Sequence, residues 1–228
     1  MGGTAAALLG LLLPERCLAC GQGEALLCEE CRAALLVLRG ALCARCGCPT
    51  AWPVERCREC AGRRLAFASA RAAVAYRGPA QALVGAWKER GVRRVADLAA
   101  ELVVELVPRP PAAALTFVPG EDDRVGWRGV DTAESLAVAL AKHWELPVLA
   151  VVARARRAER QRGLSRAGRR ANVRGAFAVR ALAAPPRTVC LVDDVYTTGA
   201  TVAAVATELR RAGAHAVHVV TFARTVRR

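Results

Sequence analysis

The sequence predicts an α/β fold: a parallel sheet flanked by helices, preceded by a small cysteine-rich module. Three observations carry this. From about residue 72 onward, short apolar runs alternate with segments of helical spacing. Those runs are continuous rather than alternating, as strands covered on both faces are. Eight of the ten cysteines fall as C-x2-C pairs within residues 17–60. A chain of 228 residues holds such a module and one larger domain. The expected division is residues 1–62 and residues 63–228.

Residues 5–13 (AAALLGLLL) resemble the core of an export signal, yet no basic residue precedes them. Arg16 stands directly before Cys17, where a lipoprotein signal needs a small residue. A short apolar helix ended by Pro14 is the expectation, in a cytoplasmic protein. No apolar run approaches the ~18 residues that span a bilayer.

The cysteine pairs are Cys17/Cys20, Cys28/Cys31, Cys43/Cys46 and Cys57/Cys60. A C-x2-C knuckle turns the backbone so that two thiolates face one ion, and two knuckles complete a tetrahedral four-thiolate shell. Eight ligands predict two zinc ions. No position remains open for water, so both are structural. Disulfides would suit an exported chain instead. Spacing leaves the pairing open between sequential and interleaved use of the knuckles. Cys48 is a spare thiol near the second site, and Cys190, inside an apolar run, is a small core residue.

A strand is expected over 72–76 and helices over 79–89 and 94–107. The prolines of 108–111 break the chain before a strand at 114–118. Asp131 caps a helix that runs to residue 144, and a strand follows at 148–152. The last three elements are a strand at 188–192, a helix at 199–212 and a strand at 215–222.

Residues 189–202, VCLVDDVYTTGATV, carry the chemistry. An apolar strand ends in Asp193 and Asp194, followed by Thr197, Thr198, Gly199, Ala200 and Thr201 at the start of a helix. Backbone N–H groups and threonine hydroxyls there form an anion cup, with Gly199 permitting close approach. Carboxylates beside a phosphate suit the hydroxyls of a sugar, or a divalent cation bridging sugar and phosphate. Phosphate plus diol is a phosphorylated ribose. A bare helix cap explains one hydroxyl or one carboxylate, not this ordered set.

Net charge is +14, from 34 basic and 20 acidic residues, which excludes an acidic solvating protein. Of the basic residues 32 are arginine and two are lysine (Lys88 and Lys142), so part of the excess is compositional bias. Residues 151–180 alone hold 10 basic and one acidic residue, a local anion site or a nucleic-acid stripe.

The segment LVDDVYTTGAT resembles the phosphoribosyl pyrophosphate (PRPP) loop of type I phosphoribosyltransferases. With four knuckles ahead of it, the chain is similar to the ComF family, associated with competence for DNA uptake. The resemblance extends over Lys88-Glu89-Arg90-Gly91, Arg128-Gly129 and Gln161…Asn172…Phe177. It implies a type I phosphoribosyltransferase-like domain that binds PRPP, or a ribose-5-phosphate-like ligand, with magnesium. Asp193 and Asp194 would serve catalysis and ligand binding, and Pro119, Arg128 and Gly129 the pyrophosphate loop. Arg154, Arg156, Arg157 and Gln161 would form a lid over the anion. Glu121, Asp122 and Asp123 stand where the family carries basic residues and imply a weak hold on pyrophosphate. Two functions from different classes follow. One is pentosyl transfer to an acceptor the sequence does not specify. The other is a non-catalytic module that binds single-stranded nucleic acid or senses PRPP, with single-stranded DNA and the competence machinery as partners.

Overall fold

The computed structural model describes residues 16–120, 131–155, 175–181 and 183–226. Its elements are α1 (Glu29–Ala33), β1 (Ser69–Ala75), α2 (Pro79–Arg90), α3 (Val95–Leu106), β2 (Ala114–Phe117), α4 (Thr132–Trp144), β3 (Val152–Arg154), β4 (Phe177–Val179), β5 (Thr188–Tyr196), α5 (Ala200–Arg211) and β6 (Ala216–Arg224). The apolar helix expected at residues 5–13 lies outside the described residues.

Four strands form one sheet in the order β1-β6-β5-β2, every pair parallel. Side chains alternate across a strand, and each face acquires its own core. Cys190 and Val192 of β5 join Val220 and Phe222 of β6 beneath α2, α3 and α4, with Leu83, Trp87, Val103 and Leu140 fully buried. On the other face, Val189, Leu191, Val217 and Val219 pack against Val205 and Leu209 of α5. With apolar area lost from both faces, the continuous apolar runs are accounted for.

α4 begins as expected. The Asp131 carboxylate accepts from the amides of Ala133 (3.0 Å) and Glu134 (3.2 Å), a cap worth about 1 kcal/mol. Its second oxygen accepts from Gly120 N at 2.7 Å, tying the turn after β2 to the helix start.

The strands expected at 72–76 and 215–222 are Ser69–Ala75 and Ala216–Arg224, and two other strand expectations change more. β5 does not stop at Val192 but continues to Tyr196, because β6 offers partners through Asp193↔Thr221 and Tyr196↔Arg224. The strand expected at 148–152 is split. Val148 makes a single parallel bridge to Leu115, and the chain then leaves the sheet. Val152–Arg154 pairs antiparallel with Phe177–Val179 as a separate two-stranded ribbon.

Candidate functional site

The eight knuckle cysteines gather into two clusters, Cys17/Cys20/Cys28/Cys31 and Cys43/Cys46/Cys57/Cys60, so the pairing is sequential. Within each, all ligand atoms lie within 4.8 Å of one another. Sulfur separations of 3.7 Å (Cys20–Cys28), 3.6 Å (Cys43–Cys60) and 3.5 Å (Cys46–Cys57) are far longer than a disulfide. Four sulfurs at about 2.3 Å from one ion stand roughly 3.8 Å apart, so both clusters fit structural zinc. Cys48 is buried but belongs to neither cluster, and burial pushes its thiol up to about 11. Cys190 is fully buried in the sheet, as expected of a core residue.

A second constellation stands at the carboxyl ends of the parallel strands, where open α/β sheets present their ligand crevices. Asp193 and Asp194 lie just beyond the end of β2, whose Phe117 pairs with Val192. Asp194 is buried and fully engaged. One oxygen accepts from Lys88 Nζ at 2.7 Å, the other from the hydroxyl of Thr132 at the start of α4. Asp193 turns one oxygen onto the Asp194 amide at 2.9 Å, and among the described residues no donor reaches the other. Burial first, then the charge of Asp194, pushes the Asp193 carboxyl up to about 8 against the opposing pull of Lys88.

The loop that follows has the shape of an anion cup. Gly199 adopts φ +70°, and α5 starts at Ala200. The Thr198 hydroxyl accepts from Ala200 N at 3.3 Å. The amides of Thr198, Gly199, Thr201 and Val202 have no hydrogen-bond partner among the described residues. A side chain at Gly199 would run into the Tyr196 hydroxyl.

Arg154 reaches the same region from β3. Its Nε donates to the carbonyls of Pro119 (3.1 Å) and Gly120 (3.0 Å), and its guanidinium lies 5.1 Å from the Phe177 ring centroid. Arg154 thus braces the turn after β2. Arg156, Arg157, Gln161, Arg128, Gly129 and Glu121–Asp123 lie outside the described residues.

Magnesium, implied by the resemblance, finds one uncommitted carboxylate oxygen among the described residues here, on Asp193. That donor set fits a cation held chiefly by its ligand's own oxygens. Sequence reading missed how Asp194 is held. Lys88 was noticeable as one of only two lysines against 32 arginines, whereas Thr132 carried no signal beyond its place after a capping aspartate.

Residues 8–61 match the double zinc ribbon domain. The chain is 34% identical over 136 residues to Competence protein F of Haemophilus influenzae, covering 58% of this chain and 59% of that protein. It therefore spans about 59% of the length of this curated relative. Together the two matches bear out the resemblance to the ComF family. Among solved structures, the allosteric regulatory enzyme of purine biosynthesis aligns with 27% identity and a TM-score of 0.39, covering 55% of this chain and 24% of that one. The glutamine PRPP amidotransferase of B. subtilis aligns with 24% identity and a TM-score of 0.37, covering 57% and 25%.

Proposed function

We propose that the carboxyl end of the sheet binds a phosphorylated ribose, PRPP with magnesium being the ligand that best matches its donors. The observation behind this reading is the uninterrupted run from Asp193 to Thr201 at the end of an inner parallel strand. The amides of Thr198, Gly199, Thr201 and Val202, unpartnered among the described residues, and the hydroxyls of Thr197, Thr198 and Thr201 would take the 5′-phosphate. The open oxygen of Asp193 would accept from a ribose hydroxyl. Lys88 and Thr132 hold Asp194 so that the two carboxylates do not both meet the ligand. Bound magnesium would neutralise negative charge on pyrophosphate. Phosphoribosyl transfer to an acceptor is the further step this arrangement would serve, in a competence-type protein with domains at 1–62 and 63–228.

Calorimetric titration with ribose 5-phosphate and with PRPP, each with and without magnesium, tests the reading. Thr198→Val removes a donor to a charged group, about 1.5–3 kcal/mol or roughly 10- to 150-fold in affinity. Unchanged affinity in that variant would place the phosphate elsewhere.

The raised pKa of Asp193 adds a pH test. A carboxyl that holds its proton more tightly when folded disfavours folding increasingly as pH rises from the ordinary carboxylate range to about 8. Asp193→Asn should raise the urea midpoint at pH 8 and leave it nearly unchanged at pH 4. Equal shifts at both pH values would mean that Asp193 does not titrate in this window.

The second reading, single-stranded nucleic acid as partner, is favoured by Trp52. It is 69% exposed on the second ribbon, with Arg56 and Arg58 exposed on the same module. A salt series of DNA binding by Trp52→Ala distinguishes stacking from general charge attraction.

A further inference from the structure

The second metal cluster and the 197–201 loop are joined by a chain of buried contacts that uses none of the metal-binding sulfurs. Arg224, at the end of β6, is 1% exposed. Its Nη1 donates to the carbonyl of Cys46, and its Nη2 to Glu59 at 3.2 Å. Cys46 is a ligand, and Glu59 lies between the ligands Cys57 and Cys60. The guanidinium carbon sits 4.9 Å from the centroid of the Tyr196 ring. Tyr196 is itself buried, edge-on to Phe67 with centroids 6.4 Å apart, and its carbonyl accepts from Thr225 N at 2.9 Å. Its hydroxyl fills the space beside Gly199 into which any other residue would project.

A buried guanidinium needs partners for its N–H groups, because leaving water unpaired is costly. Two of the partners here belong to the backbone and side chain of the knuckle that the metal shapes. If that knuckle opened, Arg224 would lose them and would have to move toward water. The Tyr196 ring would lose its stacking partner, and Gly199 the wall that fixes its position.

We infer that Arg224 and Tyr196 are positioning residues that couple metal occupancy of the second cluster to the shape of the 197–201 loop. The inference rests on the reading of that loop as a phosphate site. Coupling between two sites is reciprocal. An anion held by the loop therefore slows loss of the second metal, and leaves the first cluster, which Arg224 does not touch, unaffected.

The test uses the full chain loaded with zinc. Chelator-driven release of each zinc is followed alongside amide hydrogen exchange of Ala200 and Ala203, whose N–H groups bond to the Thr198 hydroxyl and the Gly199 carbonyl and so report on the loop. Arg224→Met should speed release of one zinc and exchange of those amides by about tenfold each, leaving the other zinc unchanged. Arg224→Lys keeps the charge and loses the fork. It covers the case in which the methionine variant does not fold, with the same pattern at about threefold. Tyr196→Leu should loosen the loop while zinc release stays near wild type, since the bonds to Cys46 and Glu59 remain. Wild-type protection of the loop in the Arg224 variants would overturn the coupling.

Ribose 5-phosphate separates this from the underlying reading. Slower release of the same zinc in wild type, and no such slowing in Arg224→Met, supports both. If the sugar phosphate fails to protect the wild-type loop while the Arg224 variants still loosen it, the phosphate reading falls and the coupling stands. If it protects the loop and the Arg224 variants leave the loop's exchange unchanged, the coupling falls and the phosphate reading stands.

Discussion

In the first cysteine cluster Cys20 is exposed and Cys28 and Cys31 are half-buried, whereas in the second Cys43, Cys46 and Cys60 are all buried. The first leans on the helical face through Leu18, Leu26 and Leu27 and through a half-exposed Arg32–Glu105 ion pair at 2.8 Å. The second is continuous with the core of the opposite face, its cysteines packed in one cluster with Phe67, Leu209 and Val219. It also bonds directly to β1. Ala70 N donates to the Arg45 carbonyl at 3.0 Å, and Arg71 Nη1 to the Ala44 carbonyl at 2.9 Å. The same ligand chemistry therefore serves as an outer staple in one place and as core material in the other.

Removing one ligand from each cluster should expose the largest difference. A structural zinc is worth on the order of 10 kcal/mol, comparable to the whole net stability of a domain. Cys60→Ser should abolish the cooperative thermal transition of the sheet. Cys20→Ser should lose one zinc yet keep that transition. Circular dichroism melts with metal analysis decide it, and matching melts for the two variants would erase the distinction.

Two glycines sharpen the comparison further. Gly21 and Gly47 each follow the second cysteine of a knuckle, at φ +76° and +67°. A side chain at Gly21 meets nothing within 4 Å, whereas one at Gly47 collides with the carbonyl of Ala70. Left-handed backbone costs either alanine variant about 1–2 kcal/mol, and crowding adds roughly 1–3 kcal/mol at Gly47 alone. Urea midpoints at constant slope should rank Gly47→Ala well below Gly21→Ala. Equal midpoints would mean that the second knuckle is not pressed against β1.

The smallest single effect is found by comparing two carboxylates. Glu59 pairs with the buried Arg224, so Glu59→Gln should cost about 1.5–3 kcal/mol. Glu105 pairs with Arg32 where both side chains are about half exposed, so Glu105→Gln should cost at most about 1 kcal/mol. Reversal of that order in chemical denaturation would contradict the contrast between staple and core.

Spacing alone could not have drawn this contrast, because the two clusters are equivalent as C-x2-C pairs. The ligands themselves were legible, since the knuckle is a local structure whose residues lie close in sequence. Helices α2, α3 and α4 were legible for the same reason, through local periodicity and the Asp131 cap. What escaped depends on partners distant in the chain. β5 extends past two aspartates only because β6 pairs with them. Val152–Arg154 leaves the sheet because Phe177–Val179 receives it. Arg224 read as one arginine among 32, and nothing near it in sequence points to Cys46 or Glu59. The phosphate loop was readable as a motif, while the Lys88 and Thr132 bonds that hold Asp194 required the fold.

The position of β6 between β1 and β5 also bears on how the molecule is made. Ser69 and His218, joined at 2.9 Å, are 149 residues apart in sequence. At ~5–20 residues per second, β1 waits roughly 7–30 s during synthesis for the strand that completes it. An unpaired strand is a template for aggregation over that interval. Its other edge has a partner much sooner. Leu38 N donates to the Ala73 carbonyl at 3.0 Å, Ala75 N donates to the Leu36 carbonyl at 2.8 Å, and Val37 bridges Val74. Residues 36–38 leave the ribosome before β1 and lie between the two metal clusters. Residues 36–38 are thus the first segment made that can cover an edge of the nascent strand, well before β6 covers the other.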